Sequence, residues 1–171
     1  MRHVAFVRNL NQGQRGHVTT AELVAAFVEA GCHDPVPFQS NGTVVFEGDA
    51  ERAQDAARAL AAHAGVEREV FTLTLEEVGD IVADHAPAPD AARRELTLHA
   101  GNRIVLDATA QAEAGRRRCV LLDTGVGWVV SLNARCRESN ATPVLERLTG
   151  APATSRGLPT LIRLVASLAE T

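Results

Sequence analysis

The dipeptide Asn41-Gly42 lies between two β-prone runs, Val36 to Gln39 and Thr43 to Glu47. Asn-Gly in that setting is a strong signal for a tight hairpin, because both central positions of the favoured turn need positive φ. An antiparallel pair is therefore fixed early in the chain, and its neighbours must be compatible with it. Upstream, Val4 to Val7 is a short apolar strand candidate, followed by a polar loop from Arg8 to Gly16. Thr19-Thr20-Ala21-Glu22 then reads as a capping box that opens a helix carrying Leu23, Val24, Phe27 and Val28, with Gly31 at C′. Downstream, an alanine-rich helix runs from about Ala50 to Ala64 and stops at Gly65, and Glu69 to Thr72 reads as a further strand. Asp34-Pro35 is expected to break the chain out of the first helix. The order is β-α-β-β-α-β, which predicts an α+β fold: a ferredoxin-like unit over residues 1–73 with both helices on one face of an antiparallel sheet.

Residues 74–90 read as a connecting helix and a Pro-rich linker. Thr74-Leu75-Glu76-Glu77 is a second capping box, and Pro87-Ala88-Pro89-Asp90 is a stiff extended segment. Residues 91–171 are expected to form a second α+β unit ending in helices. Its strand candidates are Glu95 to His99, Arg103 to Leu106, Cys119 to Leu122 and Gly127 to Leu132, with Ala108 to Gly115 a short helix or a loop. Trp128 is expected to be a half-buried core anchor. Thr142-Pro143 reads as a helix N-cap followed by proline, and Pro159 opens a last helix striped by Leu161, Leu164, Val165 and Leu168. At 171 residues the chain has room for one domain or two small ones.

Charge and composition exclude several classes. The net charge of −4 argues against a dedicated basic nucleic-acid binder, although the charge is uneven. Glu47 to Glu95 holds 12 acids and 5 arginines, whereas Gly101 to Thr171 holds 6 acids and 9 arginines, so the second half is the part suited to a polyanion. The densest basic run is Arg116-Arg117-Arg118, with Arg135 and Arg137 expected on an adjacent hairpin; a solvated strand end is the plainer account of them. All 17 basic residues are arginine, so the usual lysine-bearing phosphate loop is ruled out. Gly125-Val126-Gly127 lacks the third glycine of a dinucleotide fingerprint, and no GxSxG elbow is present. The three cysteines form no CxxC pair and the six histidines have no ligand spacing, so neither a metal nor a cofactor is expected. No apolar run approaches the roughly 18 residues of a membrane span and there is no signal-peptide pattern, so a soluble cytoplasmic protein is expected, with no membrane partner.

The Arg8–Gly16 loop is the candidate site. Arg8 and Arg15, with backbone N–H groups around Gly13 and a helix start beyond, suit a phosphate or carboxylate. Asn11 lies in the same loop, and Gln39 and Ser40 are expected beside it on the hairpin, adding neutral hydrogen bonds. The plainer alternative is that Asn9, Asn11 and Gln12 satisfy the loop's own backbone.

Three segments together resemble the bacterial domain of unknown function 1697 family. Arg8-Asn9-Leu10-Asn11-Gln12-Gly13 resembles its opening Arg-Gly-Ile-Asn-Val-Gly-Gly, and Gln39-Ser40-Asn41-Gly42-Thr43-Val44-Val45-Phe46 its Gln-Ser-Gly-Asn-Val-Val-Phe hairpin. Leu145 to Arg156 is similar to its Leu-Glu-Lys-x-Leu-Gly-x-x-x-Thr-Thr-Arg ending. The resemblance implies ferredoxin-like βαββαβ units and no established activity. The departures are Asn9 for a loop glycine, Gln14 for the second of a glycine pair, the inverted Asn41-Gly42, and Gly157-Leu158-Pro159 for Asn-Trp-Asn. Arg8, Asn11, Gly13, Gln39, Ser40 and Arg156 are the residues that remain.

The sequence therefore reads as a non-enzymatic binding module, monomer or homodimer, for an anionic ligand or nucleic-acid phosphate. The alternative is an enzyme acting on a small phosphorylated or carboxylated metabolite at the same loop.

Overall fold

The computed structural model describes residues 1–13, 18–65 and 67–171. The chain divides into two compact units, Met1–Val78 and Gly79–Thr171. In the first, β1 (Arg2–Val7), α1 (Thr20–Glu29), β2 (His33–Phe38), β3 (Thr43–Glu47), α2 (Arg52–Ala64) and β4 (Val70–Thr74) follow one another. The strands pair antiparallel in the order β2-β3-β1-β4, the ferredoxin-like arrangement.

Period-2 alternation explains which face the helices cover. Ala5 and Val7 of β1 lie with Val44, Phe46 and Val70 in one cluster, completed by Leu23, Ala26 and Phe27 of α1 and by Ala53, Ala56, Ala57 and Leu60 of α2. The alanine stripe gives α2 little area per residue, so Phe27, fully buried, carries a large share of the apolar contact, about 2–3 kcal/mol. The α1 capping box forms as expected: Glu22 N donates to Thr19 Oγ1 at 3.1 Å and Thr19 N to Glu22 Oε1 at 3.3 Å. α1 has already ended at Glu29 before Asp34-Pro35, which lies within β2. Both Pro35 and Pro37 lie within β2, which is possible because β2 is an edge strand, and Asp34 (φ 45) marks a register shift between His33 and Val36.

β4 runs directly into α3 (Leu75–His85), whose start is held by Glu77 N to Thr74 Oγ1 at 3.1 Å and Thr74 N to Glu77 Oε2 at 2.7 Å. The division between the units falls inside this helix.

The second unit contains a 3-10 turn (Ala91–Arg93), β5 (Arg94–His99), α4 (Ala108–Arg116), β6 (Cys119–Gly125), β7 (Trp128–Asn133), α5 (Ala141–Thr149), β8 (Ala153–Gly157) and α6 (Leu158–Ala169). Its sheet order, β6-β7-β5-β8, is that of the first unit strand for strand, and all three pairings are antiparallel. Each unit is thus βαββαβ with a helix appended to its last strand. The registers agree as well. Val4 pairs with Val45 and Leu73, while Leu96, at the matching position, pairs with Val130 and Arg156.

Three local expectations are corrected. Arg103 to Leu106 forms no strand; it is loop, tied by Arg103 Nη2 donating to Thr124 O (2.9 Å) and Thr124 Oγ1 donating to Ile104 O (3.1 Å). Ala153–Gly157 is a strand although its composition predicts none, because β5 supplies a full ladder beside it. Asn140, not Thr142, is the N-cap of α5, and Asn140 makes no side-chain cap bond.

That cap is supplied from the sheet. Glu95 is buried, and its carboxylate accepts from Asn140 N and Ala141 N, each at 3.0 Å, and from Ser139 Oγ at 2.9 Å. A carboxylate there satisfies N–H groups the helix cannot pair itself and opposes the positive end of its dipole. Thr97 Oγ1 lies 2.7 Å from Ser155 Oγ, which lies 2.6 Å from Thr142 Oγ1 on α5, so the same helix is docked by hydroxyls as well as by Val144 and Leu145.

Further polar bonds fix the Pro-rich segment within the second unit. Arg94 Nε donates to Asp90 Oδ1 and Arg94 Nη1 to His85 Nδ1, each at 2.7 Å, and His85 Nε2 lies 2.8 Å from Asp123 Oδ2. Arg94 holds the Asp90 carboxyl below its usual range. Asp123 stands where β6 bulges between Leu121 and Asp123, a device that re-aims a side chain.

Candidate functional site

The described start of the loop leaving β1, Arg8 to Gly13, is held by its neighbours before any ligand is considered. Val7 N donates to Gly42 O and Arg8 N to Glu69 O, both at 2.9 Å. Gln12, which is buried, straps three elements together. Its N–H donates to Ser40 O (3.0 Å), its Oε1 accepts from Gly42 N (3.1 Å) and its Nε2 donates to Thr20 Oγ1 at the start of α1 (3.2 Å). Gly13 N donates to Val18 O at 3.1 Å.

The backbone explains the identities along this end of the sheet. Asn9 has φ 54 and Gln39 has φ 58, both left-handed, and asparagine is among the few non-glycine residues that enter this region readily. Asn9 can therefore hold a backbone conformation that usually calls for glycine. Gly42 (φ 78) has no such substitute, because a Cβ there would lie 2.8 Å from Val7 O. Gly13 also has positive φ (78), but open space lies in front of it.

Of the residues singled out by sequence, Arg8, Asn11, Gly13, Gln39 and Ser40 belong to this one end of the first sheet, joined through the bonds of Gln12. Asn11, Gly13, Gln39 and Ser40 are exposed. The Arg8 side chain retains 26% exposure, with its Nη1 3.6 Å from Glu69 Oε2. Arg15 lies outside the described residues. Arg156 belongs to the second unit, on β8, where it is buried and Nη1 donates to Thr154 Oγ1 and Ser155 O, each at 2.9 Å. Burial pushes its guanidinium down to about 10.

Two contributors escape a reading of the loop alone. Gln12 was assignable only to the loop's own backbone, and it does serve that backbone, but its reach to Gly42 and Thr20 is tertiary. Arg68 Nε donates to Asn9 O at 3.3 Å and brings a second guanidinium to the site. The signal for Arg68 lies in the pairing: Val7 faces Val70 in the antiparallel β1–β4 ladder, so the residues before β4 meet the residues after β1. Among the described residues no group of three or more His, Cys, Asp or Glu side chains is placed to hold a metal ion. No helix among them is long and apolar enough to cross a membrane.

The fold and this loop define a tandem ferredoxin-like α+β protein with a polar strand-end loop in its first unit. Residues 1–118 match the family described as Protein of unknown function (DUF1697), and the chain belongs to that family. The solved structure of conserved bacterial protein SP0830 from Streptococcus pneumoniae is similar across the whole fold, with a TM-score of 0.60 at 18% identity over 96% of this chain and 97% of that one. No curated protein matches the sequence.

Proposed function

We propose that the protein binds a small anionic ligand at the β1–α1 loop of its first unit, without turning it over. The observation that carries this reading is the Gln12 strap. It holds the start of the loop against the β2–β3 hairpin, with Asn11, Gly13, Gln39 and Ser40 exposed and the Arg8 side chain partly exposed at the same end of the sheet. A guanidinium held at the same strand end as exposed neutral hydrogen-bonding groups suits a phosphate or carboxylate and lowers the ordering cost of binding it. Glu69 offsets part of the charge, and an anion entering the loop competes with it for Arg8. The residues gathered here supply hydrogen bonds and charge, the equipment of binding rather than of proton transfer.

The test is a thermal-shift series with inorganic phosphate, nucleoside monophosphates and small dicarboxylates. A ligand at about 100 times its Kd raises stability by about 2.7 kcal/mol. The wild type shows a saturable rise in Tm with at least one of these, the Arg8→Ala variant shows none, and the ligand-free Tm of the two is nearly equal. An Arg8→Ala variant that keeps the full shift, or that loses stability without ligand, overturns the assignment. Chemical conversion of the bound ligand would favour the enzymatic alternative.

A further inference from the structure

The second unit carries the strongest local concentration of positive charge in a chain whose net charge is −4. Between Arg116 and Arg137 there are five arginines and a single acid, Asp123. Arg116, Arg117 and Arg118 close α4 and lead into β6, while Arg135 and Arg137 follow β7. The two segments are neighbours because Cys119 pairs with Asn133 and, one step beyond the ladder, Ala134 N donates to Arg118 O at 3.0 Å. All five arginines are exposed. Arg93, reaching in from the 3-10 turn, donates through Nη1 to Asn133 O (3.1 Å) and Ala134 O (3.3 Å), and lines a shallow pocket of about 250 Å³ with Arg118, Cys119 and Asn133.

Two details set this surface apart from a merely solvated strand end. Arg118 (φ 62) and Arg137 (φ 66) both occupy left-handed backbone, where a long side chain costs on the order of 1 kcal/mol and where glycine or asparagine would relieve the strain. Among the described residues, only Arg116 of the five has a carboxylate partner, Glu113 at 3.3 Å; Glu138, beside Arg137, accepts from the neutral Asn140 Nδ2 at 2.9 Å and keeps its charge. Arg117, Arg118, Arg135 and Arg137 form no ion pair with a described residue at 4.0 Å or less.

We infer that this arginine surface binds nucleic acid through its phosphate backbone, without reading sequence. A nucleic-acid strand presents a dense line of charge that several neighbouring guanidiniums engage together. The patch has no aromatic side chain for stacking on bases or for seating in a lipid interface. Trp128 lies at the opposite end of the β6–β7 hairpin, paired with Gly125, and every phenylalanine belongs to the first unit. Phosphate contact is what these side chains offer.

Fluorescence anisotropy of labelled single-stranded and duplex oligonucleotides of about 20 residues, titrated with the full chain at several salt concentrations, tests the inference. Binding is expected for unrelated sequences with similar affinity. For the duplex, the slope of log K against log salt is expected near −3 to −4, on the basis of about 0.9 per neutralised phosphate. Arg117→Glu with Arg135→Glu should lower affinity more than tenfold at low salt and flatten the slope by about two, with Tm unchanged. The Arg117→Glu, Arg135→Glu variant should keep the phosphate-induced rise in Tm assigned to the first unit, so failure of this inference is distinguishable from failure of the anion site there. Absence of binding at low salt, undiminished binding by the double variant, or binding to phosphatidylserine-containing vesicles in place of nucleic acid overturns it.

Discussion

Glu95 occupies in the second sheet the position that His3 occupies in the first, and its carboxylate accepts the backbone N–H of Asn140 at 3.0 Å to hold the start of α5. The two units share a topology and a register, yet they dock their second helix differently. In the first, α2 joins the apolar cluster through Ala53, Ala56, Ala57 and Leu60. In the second, Glu95, Ser155 and Thr142 supply hydrogen bonds at the same place.

Replacing Glu95 measures what that difference contributes. Glu95→Ala leaves the N–H groups of Asn140 and Ala141 and the hydroxyl of Ser139 without their acceptor in a buried setting. A loss of about 3 kcal/mol in urea unfolding is expected. Glu95→Gln, which keeps one acceptor oxygen but not the charge, should lose about a third of that. A loss below 1 kcal/mol for the alanine variant would mean the cap is dispensable.

The glycines at the first-unit site separate strain from clash. Gly13→Ala meets only an unfavourable φ and should cost about 1 kcal/mol. Gly42→Ala meets the same φ together with the Val7 carbonyl at 2.8 Å, so the β1 end or the hairpin must move. It should cost at least twice as much, as read from urea midpoints of the two variants.

Thiol chemistry follows burial. Cys119 is pushed up to about 11, first by burial and then by the Glu95 carboxylate, and burial also raises Cys32 against the pull of Arg52. Cys136 is exposed. At pH 8 a disulfide reagent should therefore modify Cys136 alone in the native protein and all three thiols after denaturation. The folded chain disfavours the thiolate, whose ordinary pKa is 9.0, so stability should fall as pH rises from 9 toward 11 and be unaffected by these groups below that range. Rapid native labelling of Cys119 would contradict the packing around β6.

Much of the first unit was legible because its local signals agree with one another. The capping box at Thr19, the Asn41-Gly42 hairpin signal and the apolar run of β1 each point to the fold that forms, although the hairpin closes through the longer loop 39–42, with positive φ at Gln39 and Gly42 rather than at Asn41. The repetition of that fold in the second unit was not legible, and the reason is chemical. Thr97, Ser131 and Ser155 stand on the helix-covered face where a period-2 reading looks for apolar residues, and Phe46 in β3 is matched by Ser131 in β7. β8 is only Ala-Thr-Ser-Arg-Gly, a strand made by its partner rather than by its own propensity. Arg103 to Leu106 shows the converse, a β-prone run left without a ladder. At the site, Arg8, Asn11 and Gly13 could be found from the loop itself. Arg68 could not, because only the β1–β4 register brings it there.

The anion site is tested most directly by following backbone amides in a two-dimensional ¹⁵N–¹H NMR titration of the full chain with inorganic phosphate. Saturable shifts centred on Asn11, Gly13 and Ser40, abolished in the Arg8→Ala variant, are the predicted result. Shifts that fail to saturate, or that fall elsewhere and leave these three amides unmoved, would contradict it.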